Sequence, residues 1–189
     1  MWKKTKDSVL FAWNCALHPM RNASIVPSSA KAAEAMVAGI DFTKIRTVVE
    51  LGPGTGVFTE ELLKRCILGT KVVLVEIEEK YVALLRERFG DKVIVEHASV
   101  ADLETLIGKH GGRVDLIVSG LPVLIPSVTE TLLVSIKRHT EQGTIYRFFS
   151  YVPPLVRRIY RGLPVQKIAF VFLNLPPLWV YELSVSEHA

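Results

Sequence analysis

The sequence predicts an α/β domain on a mostly parallel, doubly wound sheet, closed by a C-terminal antiparallel hairpin. Three observations carry that expectation. Strand-like apolar runs alternate with helical patterns from residue 46 to residue 149, as strand–helix–strand units require. The first of these runs enters a glycine turn, Glu50-Leu51-Gly52-Pro53-Gly54-Thr55-Gly56, that opens at once into a helical pattern. The chain then ends in two strand-like runs joined by Asn174-Leu175-Pro176-Pro177, the signature of a short antiparallel link.

Each element has its own signals. Residues 2–20 form a basic amphipathic pattern: Val9, Trp13, Ala16, Leu17 and Met20 share one face with Trp2, while Lys3, Lys4, Asp7 and Asn14 lie elsewhere. Such a helix fits a lipid interface or a lid over the domain, and periodicity alone leaves both open. Serines 28 and 29 precede the alanine-rich run Ala30–Ile40, an N-cap signal, and Gly39 is a stop signal. Then come strand Arg46–Glu50, helix Val57–Cys66, strand Lys71–Glu76, helix Glu79–Phe89, short strand Lys92–Glu96 and short helix Ala101–Lys109. Strand Val114–Ser119, helix Val128–His139 and strand Gly143–Phe149 follow. Pro153–Gly162 reads as an arginine-rich helical or irregular connection, and Lys167–Phe172 and Leu178–Leu183 as the terminal hairpin. No internal repeat or second domain is visible, so residues 1–189 read as one domain.

Composition narrows the function classes. Apolar residues are 49% of the chain and charged residues 22%, which predicts a globular rather than a disordered protein. The net charge of +4 permits an anionic partner without demanding one. The two cysteines, Cys15 and Cys66, have no metal-type spacing and read as reduced thiols, and the five histidines are scattered, so no metal site is expected. The longest charge-free runs, 116–129 and 168–181, are 14 residues each and broken by prolines, against about 20 apolar residues for a spanning helix.

The glycine turn carries the chemistry. Gly52, Gly54 and Gly56 leave a bare backbone against which a ligand can lie, and Glu50 stands just before it. A carboxylate there suits a cationic ligand and repels a pyrophosphate. The spacing G-x-G-x-G after an acid resembles motif I of the class I S-adenosylmethionine-dependent methyltransferases, whose fold is Rossmann-like. That resemblance implies S-adenosyl-L-methionine as cofactor, with Glu50 facing its methionine end and Gly52, Gly54 and Gly56 giving backbone contacts. Glu76, at the tip of the second strand, is expected to accept from the ribose hydroxyls, with Ile77 packing on the adenine. Ser99 aligns with the family's adenine-binding aspartate. Asp102, nearby, reads as the cap of the following helix. Ser119 ends the fourth strand beside the cofactor.

The acceptor loop follows as Ser119-Gly120-Leu121-Pro122-Val123-Leu124-Ile125-Pro126. Enzymes of this class that methylate nucleic-acid amines carry Asn/Asp-Pro-Pro-Tyr or Asn-Leu-Pro-Tyr at this point; this chain has neither the amide nor the aromatic. With Val26-Pro27-Ser28-Ser29, the aromatic strand Tyr146–Tyr151 and Asn174-Leu175-Pro176-Pro177, the loop resembles the bacterial-type phospholipid N-methyltransferases, which methylate phosphatidylethanolamine. Motif I is also similar to that of the ribosomal RNA adenine dimethyltransferases. The lipid resemblance implies that residues 1–24 form a lid that docks on anionic membrane through Trp2, Lys3, Lys4, Lys6, Phe11 and Trp13; Arg157, Arg158, Arg161 and Lys167 form a second basic cluster. It makes Gly120, Leu121, Pro122, Tyr146 and Tyr151 substrate-loop candidates. The expectation is a cytoplasmic, peripherally membrane-associated enzyme acting on a phospholipid amine. An RNA adenine N6-methyltransferase and a non-catalytic cofactor-binding or membrane module are the alternatives. Tyr146, Tyr151 and His18 are the groups considered as base, with none assigned.

Overall fold

A computed structural model describes residues 27–121, 126–174 and 176–184, the side chains from residue 30 onward. The expectations for the N-terminal segment (Trp2, Lys3, Lys4, Lys6, Phe11, Trp13 and His18) and for Pro122 lie outside the described residues.

Seven strands form one sheet in the order β3-β2-β1-β4-β5-β7-β6. They are β1 Thr47–Leu51, β2 Lys71–Glu76, β3 Ile94–His97, β4 Leu116–Ser119, β5 Ile145–Ser150, β6 Val165–Val171 and β7 Leu178–Leu183. The first five pair in parallel, whereas β7 pairs antiparallel with β5 and with β6. The helices are α1 Pro27–Val37, α2 Val57–Arg65, α3 Glu79–Phe89, α4 Leu103–Lys109, α5 Pro126–Glu141 and α6 Pro153–Ile159. Single 3-10 turns precede β1, β3 and α4.

The central strands are hydrophobic on both sides because helices cover both faces. Residues 72–76 of β2 and all four of β4 are buried. Side chains alternate along each strand. Val48, Val72, Leu74 and Val118 therefore join one core cluster with Met36 of α1, Leu62 of α2 and Leu85 of α3. Val49, Leu51, Val73 and Ile117 join the other, with Leu103 and Ile107 of α4 and Leu132 and Ile136 of α5. Glu50 follows the same alternation. It sits between Val49 and Leu51 and so turns toward the face covered by α2.

Most element ends shift by one to three residues, and three cases stand out. α1 starts at Pro27, so Ser28 and Ser29 lie inside its first turn rather than ahead of it; proline suits the first helical position, where no amide hydrogen is needed. α5 reaches from Pro126 to Glu141, two residues longer at each end than the periodicity indicated. Asp102 makes no capping hydrogen bond from its side chain at the start of α4. Ser99 takes that role one turn earlier, accepting from the Ala101 amide at 3.2 Å.

A buried arginine fixes α1 to the hairpin. Arg147 of β5 donates through Nε to Glu182 of β7 at 2.8 Å and through Nη1 to the carbonyls of Met36 and Ala38 at 3.1 and 2.6 Å. The guanidinium thus satisfies carbonyls that the end of α1 leaves without helical partners.

Candidate functional site

The strand order reverses direction between β1 and β4, and open α/β sheets bind ligands outside the carboxyl ends of the strands at such a switch point. The glycine turn lies there. Gly52 donates to Val75 of β2 at 3.0 Å and Gly120 donates to Leu51 of β1 at 2.9 Å, which ties the turn to both neighbouring strand ends. Two glycines are required by close approach. A Cβ on Gly120 would lie 2.9 Å from the Gly52 carbonyl oxygen, and one on Gly56, whose φ is +83°, would lie 2.5 Å from the Phe89 ring. The first closes the floor between β1 and β4; the second lets α2 start against α3.

Glu50 is fully buried beneath this turn. Its Oε2 accepts from the Thr59 hydroxyl at 2.6 Å, and its Oε1 has no hydrogen-bond partner. Burial pushes the Glu50 carboxyl up to about 7; hydrogen bonding from Thr59 pulls it down, and the Glu76 carboxylate adds a smaller upward push. A buried acid with one unpartnered oxygen is expensive unless a cation or donor meets it. The residues therefore fit a cofactor that brings a cationic amine to Glu50 and lays its remaining length over bare backbone.

Glu76 is held by the backbone. Its Oε1 accepts from the amides of Ile77 and Glu78, both at 2.9 Å, and its Oε2 accepts from Gly54 at 3.1 Å. Two donors fill the lone pairs of Oε1, so the open accepting capacity for a ribose hydroxyl is on Oε2. The acid therefore also pins the middle of the glycine turn to the tip of β2. Ile77, beside it, is 63% exposed, free to cover a ring. Ser99 follows β3 and its hydroxyl is engaged in the local cap. The Ala98 amide donates to the Glu76 carbonyl at 3.1 Å, which brings this segment next to the strand-two acid.

Ser119 lies at the meeting point with a second feature. A cleft of about 80 Å³ opens at the carboxyl edge of β4 and β5, under α5 and α6. Leu121, Leu132, Phe148, Phe149 and Leu155 give it apolar walls; the hydroxyls of Ser119, Thr129, Tyr146, Ser150 and Tyr160 are its polar side-chain groups. Tyr146 and Tyr160 share a hydrogen bond of 2.9 Å between their hydroxyls, and Tyr160 stacks on Phe148 with centroids 4.3 Å apart. Burial raises both phenols above the usual tyrosine range, Tyr160 well above it. Both therefore keep their protons near neutral pH and serve as hydrogen-bonding groups rather than bases. Tyr151 points elsewhere. It packs edge-on to Phe149, with centroids 5.6 Å apart, and joins the core cluster on the opposite face of the sheet.

Of the expected site residues, Glu50, Gly52, Gly54, Glu76, Ser119 and Gly120 converge at one edge. Leu121 bridges the two halves, since a Cβ on Gly52 would meet its Cδ2 at 2.8 Å while its side chain lines the cleft. Arg157, Arg158 and Arg161 are exposed on and just after α6. Sequence reasoning missed Thr59 and Tyr160. A signal for Thr59 exists: it is a hydroxyl in the first turn of the helix that covers the Glu50 face. Tyr160 had none, because its partner Tyr146 lies on another element. Among the described residues no group of histidine, cysteine, aspartate and glutamate could hold a metal ion, and no helix is long and apolar enough to cross a membrane.

Comparison with known proteins supplies the family. Residues 28–122 match the sequence model of the family "Ribosomal RNA adenine dimethylase". An ornithine lipid N-methyltransferase of Singulisphaera acidiphila is 34% identical over 187 residues, covering 93% of this chain and 95% of that protein. A ribosomal RNA small subunit methyltransferase A of Mycoplasma capricolum is 34% identical over 91 residues, 47% of this chain and 33% of that enzyme. Among solved structures, an O-methyltransferase from Bacillus cereus in complex with S-adenosylhomocysteine (SAH) superposes with a TM-score of 0.62 at 16% identity, over 94% of this chain and 91% of that one. A putative rRNA methylase from Clostridium thermocellum superposes with a TM-score of 0.60 at 19% identity, over 87% of this chain and 99% of that one. The chain belongs to the ribosomal RNA adenine dimethylase family within the class I methyltransferases, and is an S-adenosylmethionine-dependent methyltransferase.

Proposed function

We propose that this enzyme N-methylates a lipid amine at the surface of an anionic membrane, with phosphatidylethanolamine as the first acceptor to test. The observation that carries this reading is the apolar cleft beside Ser119. Its walls suit acyl or glyceryl carbons, and its side chains present hydroxyls without an amide or carboxylate to read a base edge. The similarity to a lipid N-methyltransferase over nearly the full length of both chains supports the same reading.

Bound S-adenosylmethionine supplies an electrophilic methyl on a sulfonium. The residues orient the two reactants: Glu50 and the glycine turn fix the donor, Glu76 anchors its ribose, and Ser119 with Leu121 sets the boundary with the acceptor. In the transfer a nitrogen–carbon bond forms as the sulfur–carbon bond breaks, the thioether departs, and the amine proton goes to solvent. Positioning of this kind supplies much of the rate in a direct displacement. Ser99 and Ile77 would border the adenine. Trp2, Lys3, Lys4, Lys6 and Trp13, with Arg157, Arg158 and Arg161, would hold the protein peripherally on the bilayer.

The test is transfer of labelled methyl to vesicles containing phosphatidylethanolamine or ornithine lipid, beside ribosomal RNA. Label in lipid supports the reading; label in RNA alone overturns it. A second reading, methylation of RNA adenine, has a specific observation behind it, since the family match covers residues 28–122, which hold the whole glycine turn and β4. It requires RNA binding with a steep salt dependence.

A further inference from the structure

The hairpin at the end of the sheet carries apolar side chains that the fold does not use. Phe170, Phe172 and Leu173 are 50%, 70% and 62% exposed. Exposed large hydrophobics gathered in one place mark an interaction site more often than single ones do. Their place in the fold is specific. β6 runs parallel to β5, and through β7 Phe170 is in register with Trp179 and then with Ser150, which lines the cleft. Phe172 and Leu173 continue just beyond the end of β6. They therefore project at the same carboxyl edge as the cofactor turn and the cleft mouth. The Phe170 ring lies 4.8 Å from that of Trp179 and 6.3 Å from that of Phe172. Trp179 packs with the core cluster that also holds Val156 of α6, so this aromatic ledge shares a face with the arginine-bearing helix that covers the cleft.

Charge selects the occupant. Residues 142–181 contain no aspartate or glutamate, but carry Arg147, Arg157, Arg158, Arg161 and Lys167. Arg147 is buried against Glu182, whereas the other four are exposed. An apolar edge set in a segment free of acid suits an anionic bilayer, where phenylalanine and leucine enter the acyl boundary while cations stay among the headgroups. RNA would also attract the cations and could stack on Phe170 and Phe172, but the aliphatic Leu173 and the apolar walls of the neighbouring cleft favour the acyl boundary.

We propose that Phe170, Phe172 and Leu173 form a membrane-inserting ledge that seats the open mouth of the cleft on an anionic bilayer. This inference rests on the lipid-amine reading for its biological sense, but its physical claim is separable. The ledge would let a lipid amine slide from the bilayer plane into the cleft without leaving the membrane.

The experiment uses the full chain and the double variant Phe172→Ser/Leu173→Ser, with partition onto phosphatidylglycerol–phosphatidylcholine vesicles measured by sedimentation. Both residues are exposed and outside the cofactor site, so the thermal midpoint should not move. The variant should lose about tenfold or more in partition coefficient, the transfer preference of two apolar side chains. It should also methylate phosphatidylethanolamine in vesicles poorly while retaining turnover on a short-chain, monomeric phosphatidylethanolamine. Unchanged partition overturns the proposal. So does a variant that alters RNA affinity or self-association and leaves vesicle binding intact, or that unmasks new binding because residues 1–26 had covered the ledge. If the parent protein partitions through the ledge yet methylates no lipid, the lipid-amine reading fails and the ledge stands.

Discussion

Protonation of Glu50 should govern how tightly the enzyme holds its cofactor near neutral pH. The carboxyl is fully buried, is pushed up to about 7, and leaves one oxygen without a partner at the end of the strand that enters the glycine turn. Below that value the protonated acid offers no charge to the cofactor's ammonium; above it the carboxylate is present and waiting. If only the ionised form binds the ammonium, about a tenth of the enzyme is competent at pH 6 and about nine-tenths at pH 8, so affinity for SAH should rise about tenfold. Binding at pH 6 should release close to one proton, detectable by titration calorimetry in buffers of different ionisation enthalpy. Glu50→Gln should flatten the pH dependence. The control is 5′-methylthioadenosine, which keeps the adenosine and thioether but lacks the amine: its affinity should not change with pH. A flat profile for SAH, or an equal slope for both ligands, would show that Glu50 does not face the amine. The same acid sets the stability of the ligand-free protein, with a definite sign. Its folded value lies above the ordinary carboxyl value of 4.5, so the native state binds the proton more tightly than the unfolded chain. Stability is therefore greatest below about pH 4.5 as far as this group is concerned, and falls by on the order of 3 kcal/mol as pH rises to about 7. Adding SAH should restore much of that loss.

Thr59→Val should raise the Glu50 ionisation further and move the pH midpoint of SAH binding upward, while destabilising the fold by about 1–3 kcal/mol; Thr59→Ser should restore both, read by calorimetry and urea unfolding. Gly120→Ala should weaken SAH binding severalfold or more, because its Cβ would press on the Gly52 carbonyl oxygen, which is backbone and has no rotamer through which to yield. Arg147→Ala should destabilise the protein by about 3–5 kcal/mol, since Glu182 and two carbonyls at the end of α1 lose their donor together. A loss under 1 kcal/mol in denaturant unfolding would mean that water replaces the guanidinium.

The convergence of the expected cofactor residues at one edge was legible because most of them stand in consecutive positions. Glu50 through Gly56 run from the end of β1 through the turn, and Glu76 ends the next strand-like run, so local pattern alone places them at one edge once the sheet is parallel. The terminal hairpin was legible because two short apolar runs stand around a proline-rich link, whereas the order β5-β7-β6 came only with the structure. The ends of elements were less so. Proline at the head of α1 outweighed the serine signal after it, and Asp102 yielded its capping role to Ser99 because a 3-10 turn intervenes before α4. What could not be read was any pairing across elements: Thr59 under Glu50, Tyr160 against Tyr146, Arg147 reaching the carbonyls of α1. Each joins residues with no shared period, so only the packing of a finished sheet reveals them.

The division between what was legible and what was not follows the chemistry. A cofactor common to many enzymes is held through backbone and through acids at strand tips, and such contacts need glycine and carboxylate at fixed spacing. An acceptor is held by whatever lines the other side of the donor. On the proposed reading that side is built from α5, α6 and the hairpin, which the family match ending at residue 122 leaves out. Kinship with the ribosomal RNA enzymes therefore speaks for the donor half, while the apolar cleft and the acid-free segment 142–181 belong to the proposed acceptor half. Exchanging the two halves should exchange two properties separately. A chimera joining residues 1–121 to the acceptor half of a ribosomal RNA methyltransferase should keep the pH-dependent affinity for SAH and lose vesicle binding through the ledge. Loss of both together, in a chimera that still unfolds cooperatively, would show that donor and acceptor sites are energetically one unit.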